Sequence, residues 1–210
     1  HRESMEWVVE RCNIANVKVV GGGPYLTHGY ESFEGVDHFV LNEAEITLPM
    51  FIEDLENGCP QPVYTSPELA NTQQTPIPMW ELVDMNHYVE GLIQYSRGCP
   101  YQCDFCDVTS LFGRLPRIKT ADQIIAELDS MGDLNGFRSI FFADDNLIGN
   151  KKHLKSELLP ALIKWRKRTK IKVPFRTQVT INIADDPELM ELMIAAGFKG
   201  IFIGIETPDE

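Results

Sequence analysis

Ser96-Arg97-Gly98-Cys99-Pro100-Tyr101-Gln102-Cys103-Asp104-Phe105-Cys106 holds three of the five cysteines of this 210-residue chain. They are separated by three residues and then two, and Gly98 and Pro100 favour a loop over a regular helix. Such a loop brings three thiolates into one small volume. Structural zinc normally takes four protein ligands, and a 4Fe-4S cluster held by four cysteines has every iron closed. Three cysteines leave one iron open to a small molecule, and Phe105, directly before the last of them, is placed to stack on or shield what binds. A zinc knuckle short of one ligand, or three buried structural cysteines, are the alternative readings.

Working outward, Leu92-Ile93-Gln94-Tyr95 is a short strand feeding the loop. Thr120 with Gln123 three residues on forms a capping box, and Ile124, Ile125, Leu128 and Met131 then share a helical face. Ser139-Ile140-Phe141-Phe142-Ala143 is a buried strand ending in Asp144-Asp145-Asn146. A helical stretch over residues 151–168 follows, which Pro160 must kink or divide. A third strand spans residues 173–181. Its helix has Asp186 as N-cap, Pro187 at the first position and Gly197 as the stop. Residues 200–206 form a fourth strand. Repeated strand-helix units imply a parallel sheet with chemistry at the strands' carboxyl ends, where the cysteine loop, Asp144, Asp145, Asn146 and Glu206 all fall, with Gln178 inside the third strand. Amide and anionic groups there can accept hydrogen bonds from an ammonium or from ribose hydroxyls; capping of the next helix is the simpler role for Asp-Asp-Asn.

Upstream, a helix near residues 5–12 precedes Asn16-Val17-Lys18-Val19-Val20, which runs into Gly21-Gly22-Gly23. A strand stopping at glycines lets a ligand approach the carboxyl edge closely. A second strand over residues 37–41 and a helix ending at Gly58 complete a doubly wound pattern. Residues 59–90 carry Pro60, Pro62, Pro67, Pro76 and Pro78 and are expected to be an extended linker. The expected organisation is therefore α/β: residues 1–58, a proline-rich linker 59–90, and residues 91–210 with four strand-helix units.

Composition bounds the function. Hydrophobic residues make up 43% of the chain, and 19 basic against 31 acidic residues give a net charge of −12, a field that repels nucleic acid. The basic run at residues 164–172 is most simply the solvated end of a helix. The odd cysteine count reads as reduced intracellular thiols, no signal peptide or membrane-length apolar run is visible, and cytoplasm is the default location. His1 is not a methionine and Glu210 follows an apolar run, so the chain reads as a piece of a longer protein.

Cys99-x3-Cys103-x-Phe105-Cys106 resembles the radical S-adenosylmethionine (radical SAM) signature. That resemblance implies a 4Fe-4S cluster on Cys99, Cys103 and Cys106, with S-adenosylmethionine on the open iron near Phe105. It further implies reductive cleavage to a hydrogen-abstracting radical, and an electron donor such as flavodoxin or ferredoxin. It places the cofactor's amino group at Asp144, Asp145 or Asn146, and its ribose at Glu206, with Gln178 a further candidate. Residues 17–58 are similar to the last part of the cobalamin-binding domain that precedes the radical SAM domain in one subfamily, with Gly21, Gly22 and Gly23 bordering the cofactor's tail. The cobalt-ligating Asp-x-His-x-x-Gly element is absent, and Asn42-Glu43-Ala44-Glu45 stands where relatives often show Gly-Glu-Gly-Glu. His28 and His38 read as surface or turn residues.

Leu111-Phe112-Gly113-Arg114, Pro116-Arg117-Ile118-Lys119-Thr120 and Gly204-Ile205-Glu206-Thr207-Pro208 extend the resemblance to the cobalamin-dependent group that includes the hopanoid methylases. The implied fold is the C-terminal part of a Rossmann-like cobalamin domain followed by a partial (β/α) barrel. The implied activity is C-methylation of a small-molecule or lipid-like substrate, with weak or absent turnover for this piece alone. A non-methylating radical SAM enzyme without cobalamin and a non-enzymatic iron-sulfur carrier are the alternatives.

Overall fold

The computed structural model describes residues 2–205, so Glu206 lies outside the described residues. The chain forms two compact units, His1–Ala70 and Asn71–Glu210.

The first unit runs α1 (Arg2–Ile14), β1 (Val20–Gly22), α2 (Pro24–Gly29), β2 (His38–Val40), α3 (Ala44–Glu56) and β3 (Val63–Tyr64). All three strands are parallel in the order β1-β2-β3. Successive strand residues point to opposite faces. Phe39 joins Leu26, Phe33 and Leu41 in one core cluster, and Val40 joins Phe51 and Tyr64 in another. The sheet is thus covered on both faces, as a doubly wound fold requires. The first strand is shorter than its apolar run, since Val17 stays exposed.

The proline-rich stretch corrects one expectation, because it contains a regular element. Pro62 stands directly before β3, where a missing N–H is tolerated. Its carbonyl accepts from Phe39 N at 2.8 Å, and Tyr64 O accepts from Leu41 N at 2.9 Å. Short 3-10 turns at Thr72–Gln74, Trp80–Leu82 and Met85–His87 carry the chain onward. Trp80 and Met85 pack against the core of the second unit.

That unit contains β4 (Glu90–Ile93), β5 (Ser96–Arg97), α4 (Val108–Phe112), β6 (Arg117–Ile118), α5 (Ala121–Ser130), β7 (Ser139–Phe142), α6 (Lys151–His153), α7 (Leu159–Thr169), β8 (Phe175–Gln178), α8 (Pro187–Ala196) and β9 (Phe198–Phe202). Strands β4, β7, β8 and β9 pair in parallel and in chain order, so each is joined to its neighbour by a helical crossover, as in a (β/α) barrel. Phe142, Phe175 and Phe198, from three adjacent strands, pack ring to ring at 5.1–5.5 Å. Leu128 of α5, Leu162 and Trp165 of α7, and Leu189 of α8 cover them. Each fully buried side chain of this kind contributes roughly 1.5–3 kcal/mol.

Local signals set the helix ends. Thr120 and Gln123 form the expected capping box at α5. Asp186 accepts from Leu189 N at 3.1 Å ahead of Pro187, and Gly197 ends α8 with φ 104°. Pro160 divides the long helix in a specific way. Leu154–Leu158 is a π-helical turn placed just before it, and Pro160 then sits in the first turn of α7, where no N–H is required of it. The third strand is shorter than expected because residues 181–185 turn into a 3-10 helix.

Candidate functional site

The carboxyl ends of β4, β7 and β8 lie side by side on one sheet edge. Past β4 the chain enters β5, which pairs antiparallel with β6, Ser96 opposite Ile118 and Arg97 opposite Arg117. The cysteines lie in the excursion between these two strands. Its neck is narrow. Cys99 N donates to Gly113 O at 3.3 Å. Gly98 has φ +93°, and a Cβ there would stand 2.8 Å from Gly113 O and 3.0 Å from Phe112 O. Only glycine fits that crossing. Gly149, in the turn after β7, similarly admits Pro116 and Pro100, which a Cβ would meet at 3.0 and 3.4 Å.

The turn after β7 holds the loop from beneath, one residue at a time. Asp144 is fully buried, and its carboxylate accepts from Tyr95 N at 3.3 Å, from Ser96 N, and from Ser96 Oγ at 2.6 Å. Burial pushes its carboxyl up to about 7, against the three donors, which favour the ionised form. Asp145 accepts from Gly98 N at 3.2 Å. Burial raises its pKa as well, and the Gly98 N–H opposes the rise. Asn146, 1% exposed, exchanges two hydrogen bonds with Thr180 past the end of β8, both at 3.3 Å. Burial raises the Cys99 thiol, while the Tyr101 N–H and the Asn146 side chain hydrogen-bond it and draw it back.

The helix-cap role considered for these three residues is not what the structure shows. Asn146 opens a 3-10 turn without a side-chain capping bond. Asp144 and Asp145 instead fasten the segment entering the cysteine loop to the sheet, and Asn146 bonds Thr180. The acceptor positions of Asp144 face the chain's own Tyr95 and Ser96. Asp145 is half-buried at the rim, and Asn146 is buried and bonded to Thr180.

The three thiols are free, Cys99 and Cys106 half-buried and Cys103 exposed. Cys106 N donates to Cys103 O at 3.0 Å, closing a turn between them. Among the described residues, no three His, Cys, Asp or Glu side chains gather on one metal ion. A cubane cluster needs no such convergence, because each thiolate bonds a different iron, and three soft thiolates in one loop fit it as a donor set. Phe105 is 71% exposed beside Cys106. Gln178 is half-buried at the last position of β8, opposite Phe202.

In the first unit the glycines have mainly internal reasons. A Cβ on Gly22 would lie 2.6 Å from Val40 O and one on Gly21 2.9 Å from Leu26 Cδ1. Gly23, with φ +93° and nothing within 4 Å of its Cβ position, has open space in front of it. The residues that sequence reasoning missed are Tyr101, Thr180 and Asn182. Thr180 Oγ donates to Asn182 Oδ1 at 2.7 Å, and Asn182 Nδ2 donates to the Tyr101 hydroxyl inside the cysteine loop. Their one sequence signal is the polar alternation Thr180-x-Asn182 at a strand's carboxyl end.

A three-thiol loop fastened to the carboxyl edge of a parallel half-barrel defines an α/β protein whose donor set suits an iron-sulfur cluster. The chain belongs to the radical SAM superfamily, whose family model matches residues 93–210. It is 40% identical over 211 residues to an uncharacterised methyltransferase of Synechocystis sp., spanning 100% of this chain and 39% of that protein. It is also 40% identical over 212 residues to the hopanoid C-2 methylase of Rhodopseudomonas palustris, covering 99% and 40% respectively. The chain thus spans about two fifths of the length of these relatives. The radical SAM methyltransferase TsrM of Kitasatospora setae shares its fold with TM-score 0.73 at 17% identity, over 97% of this chain and 45% of TsrM. The cobalamin-dependent radical SAM enzyme OxsB gives TM-score 0.71 at 17% identity, over 98% and 33%.

Proposed function

We propose that this chain is part of a cobalamin-dependent radical SAM C-methyltransferase acting on a small-molecule or lipid-like substrate. The observation that carries the reading is the anchoring of the Cys99–Cys103–Cys106 loop to the sheet edge through Asp144 and Asp145.

Cys99, Cys103 and Cys106 would hold a 4Fe-4S cluster with one open iron for S-adenosylmethionine. When bound, these groups supply one-electron, hydrogen-abstracting chemistry, and cobalamin supplies a transferable methyl group. The chain's own residues fix where that chemistry happens. Buried Asp144 keeps Tyr95 and Ser96 in place, so the loop leaves β4 in a single direction. Asp145 would offer a carboxylate to the cofactor's ammonium, and Gln178 and Glu206 would offer acceptors to its ribose hydroxyls. Phe105, exposed in the loop, would shield the bound cofactor. In the first unit Gly23, with Gly21 and Gly22, would border the cobalamin tail, open space at Gly23 supporting that placement. A lipid-like substrate is favoured by the similarity to a hopanoid methylase. The reducing electron would come from a flavodoxin or ferredoxin, in the cytoplasm. Among the described residues no helix is long and apolar enough to cross a membrane.

The test is an anaerobic incubation of the intact, iron-loaded protein with S-adenosylmethionine and a low-potential reductant, assayed for 5′-deoxyadenosine. Reductant-dependent formation is expected. A fully loaded cluster that yields none contradicts the proposal.

A further inference from the structure

The amino edge of the second unit's sheet, opposite the edge that carries the cysteine loop, has a chemistry of its own. Arg138 N donates to Val89 O at 2.8 Å, and Ile140 N donates to Pro174 O and Phe175 N to Gly197 O, both at 2.9 Å. The starts of β4, β7, β8 and β9 therefore lie side by side. The last turn of α7 joins them, since Arg166 Nη1 donates to Val173 O at 2.8 Å. Along this edge stand six exposed cations from four segments: Arg138 before β7, Lys167 and Arg168 in α7, Lys170 and Lys172 in the connection to β8, and Lys199 in β9. The acids near them are committed elsewhere. Asp129 accepts from Trp165 Nε1 at 2.7 Å and pairs with Arg168 at 2.9 Å. Glu90 accepts from Ser139 Oγ and pairs with Arg176 at 2.9 Å, and Asp133 caps its own turn through Asn135 N at 3.0 Å. Lys167, Lys170, Lys172 and Lys199 enter no ion pair among the described residues. A helix dipole favours cations in the last turn of α7, which accounts for Lys167 and Arg168 and for nothing beyond them. Lys170 even takes the left-handed C-cap position, φ 59°, where glycine is usual. At the same edge Tyr88 and Val89 are 55% and 64% exposed.

We propose that this edge is a docking surface for an anionic lipid bilayer, on which the chain lies without crossing it. The unpaired lysines supply the attraction, each cation near such a surface strengthening binding on the order of fivefold. With a net charge of −12 for the whole chain, the remaining surface is strongly acidic, which turns this edge toward the bilayer. Lysine stems pass over apolar groups while their ammonium heads stay among the headgroups. Tyr88 and Val89 add the aromatic and apolar contacts that suit the boundary between headgroups and acyl chains. An acidic electron carrier would match the charge, but here it would dock a full sheet's length from the cysteines, which follow the carboxyl end of β4. Duplex nucleic acid would match the cations alone and leave Val89 without a role.

The experiment is co-sedimentation of the intact protein with vesicles of phosphatidylcholine, with or without phosphatidylglycerol, at low and high salt. Binding to the anionic vesicles alone is expected, weakening as salt screens the lysines. The triple variant Lys167→Gln, Lys170→Gln, Lys172→Gln removes three charges and should partition on the order of 100-fold more weakly, with unaltered circular dichroism. Lys152→Gln, at the exposed start of α6, should bind as the unaltered protein does. Tyr88→Ser with Val89→Ser should weaken the part of the binding that survives high salt. Failure to bind anionic vesicles, equal binding to both vesicle types, or unchanged binding by the triple variant overturns the proposal. Retention on duplex DNA without vesicle binding assigns the edge to nucleic acid and overturns it as well. Vesicle binding needs no cluster, so protein that sediments with vesicles but yields no 5′-deoxyadenosine loses the proposed function alone, and protein active in that assay but indifferent to vesicles loses this proposal alone.

Discussion

Cys103→Ala abolishes cluster assembly, with bound iron and sulfide after anaerobic reconstitution falling from about four of each per chain to near zero. Two thiolates cannot anchor a cubane whose remaining irons would face solvent or exchangeable ligands. Cys103 is the informative position because it is exposed and packs against none of the core. Its removal leaves the fold intact, and circular dichroism should be unaltered. Iron retained at the level of the unaltered protein would show that this thiol is no ligand. The isolated cysteines Cys12 and Cys59 provide the contrast, since alanine at either should leave iron content unchanged.

Asp144→Ala is the second large effect, and it acts on the fold. The substitution leaves Tyr95 N, Ser96 N and Ser96 Oγ as buried donors without their acceptor. Each such orphan costs about 1–3 kcal/mol, partly offset by no longer burying a carboxylate, for a net loss of roughly 3 kcal/mol. Urea unfolding should show it as a lower midpoint at unchanged slope. A pH signature separates the carboxyl from the rest of the molecule. Its pKa is raised to about 7 when folded, against an ordinary carboxylate value near 4 when unfolded. Between about pH 4 and 7 the folded state therefore binds more protons than the unfolded state, so this group's contribution to stability falls as pH rises through that window. Asp144→Asn cannot titrate and should lack that component of the slope. An unchanged unfolding midpoint in Asp144→Ala at neutral pH would contradict the clamp.

Much of the second unit could be read in the sequence, because its signals are local. The capping box at Thr120, the Asp186-Pro187 start and the Gly197 stop each depend on residues within a turn of one another, and each forms as its pattern implies. The three-cysteine spacing was equally local. What escaped was long-range. Asp144 bonds residues 48 and 49 positions earlier, and Thr180 meets Asn146 across 34. No periodicity encodes such pairings, so the loop-anchoring bonds of Asp144 could not be read from the sequence. β3 was hidden by prolines because a two-residue strand needs few backbone donors, and Pro62 contributes only its carbonyl. The close packing of Leu26 against Gly21 and of Val40 O against Gly22 was equally invisible in the glycine run. Gly23 alone keeps the open approach that the glycine run suggested.

The central claim is that Cys99, Cys103 and Cys106 present an iron with a vacant coordination position to S-adenosylmethionine. Electron paramagnetic resonance of the reduced, reconstituted protein, recorded with and without S-adenosylmethionine, tests it most directly. The account predicts a 4Fe-4S signal whose g-values shift when the cofactor is added. A 4Fe-4S signal identical in the two spectra, or zinc bound where the cluster belongs, would contradict it.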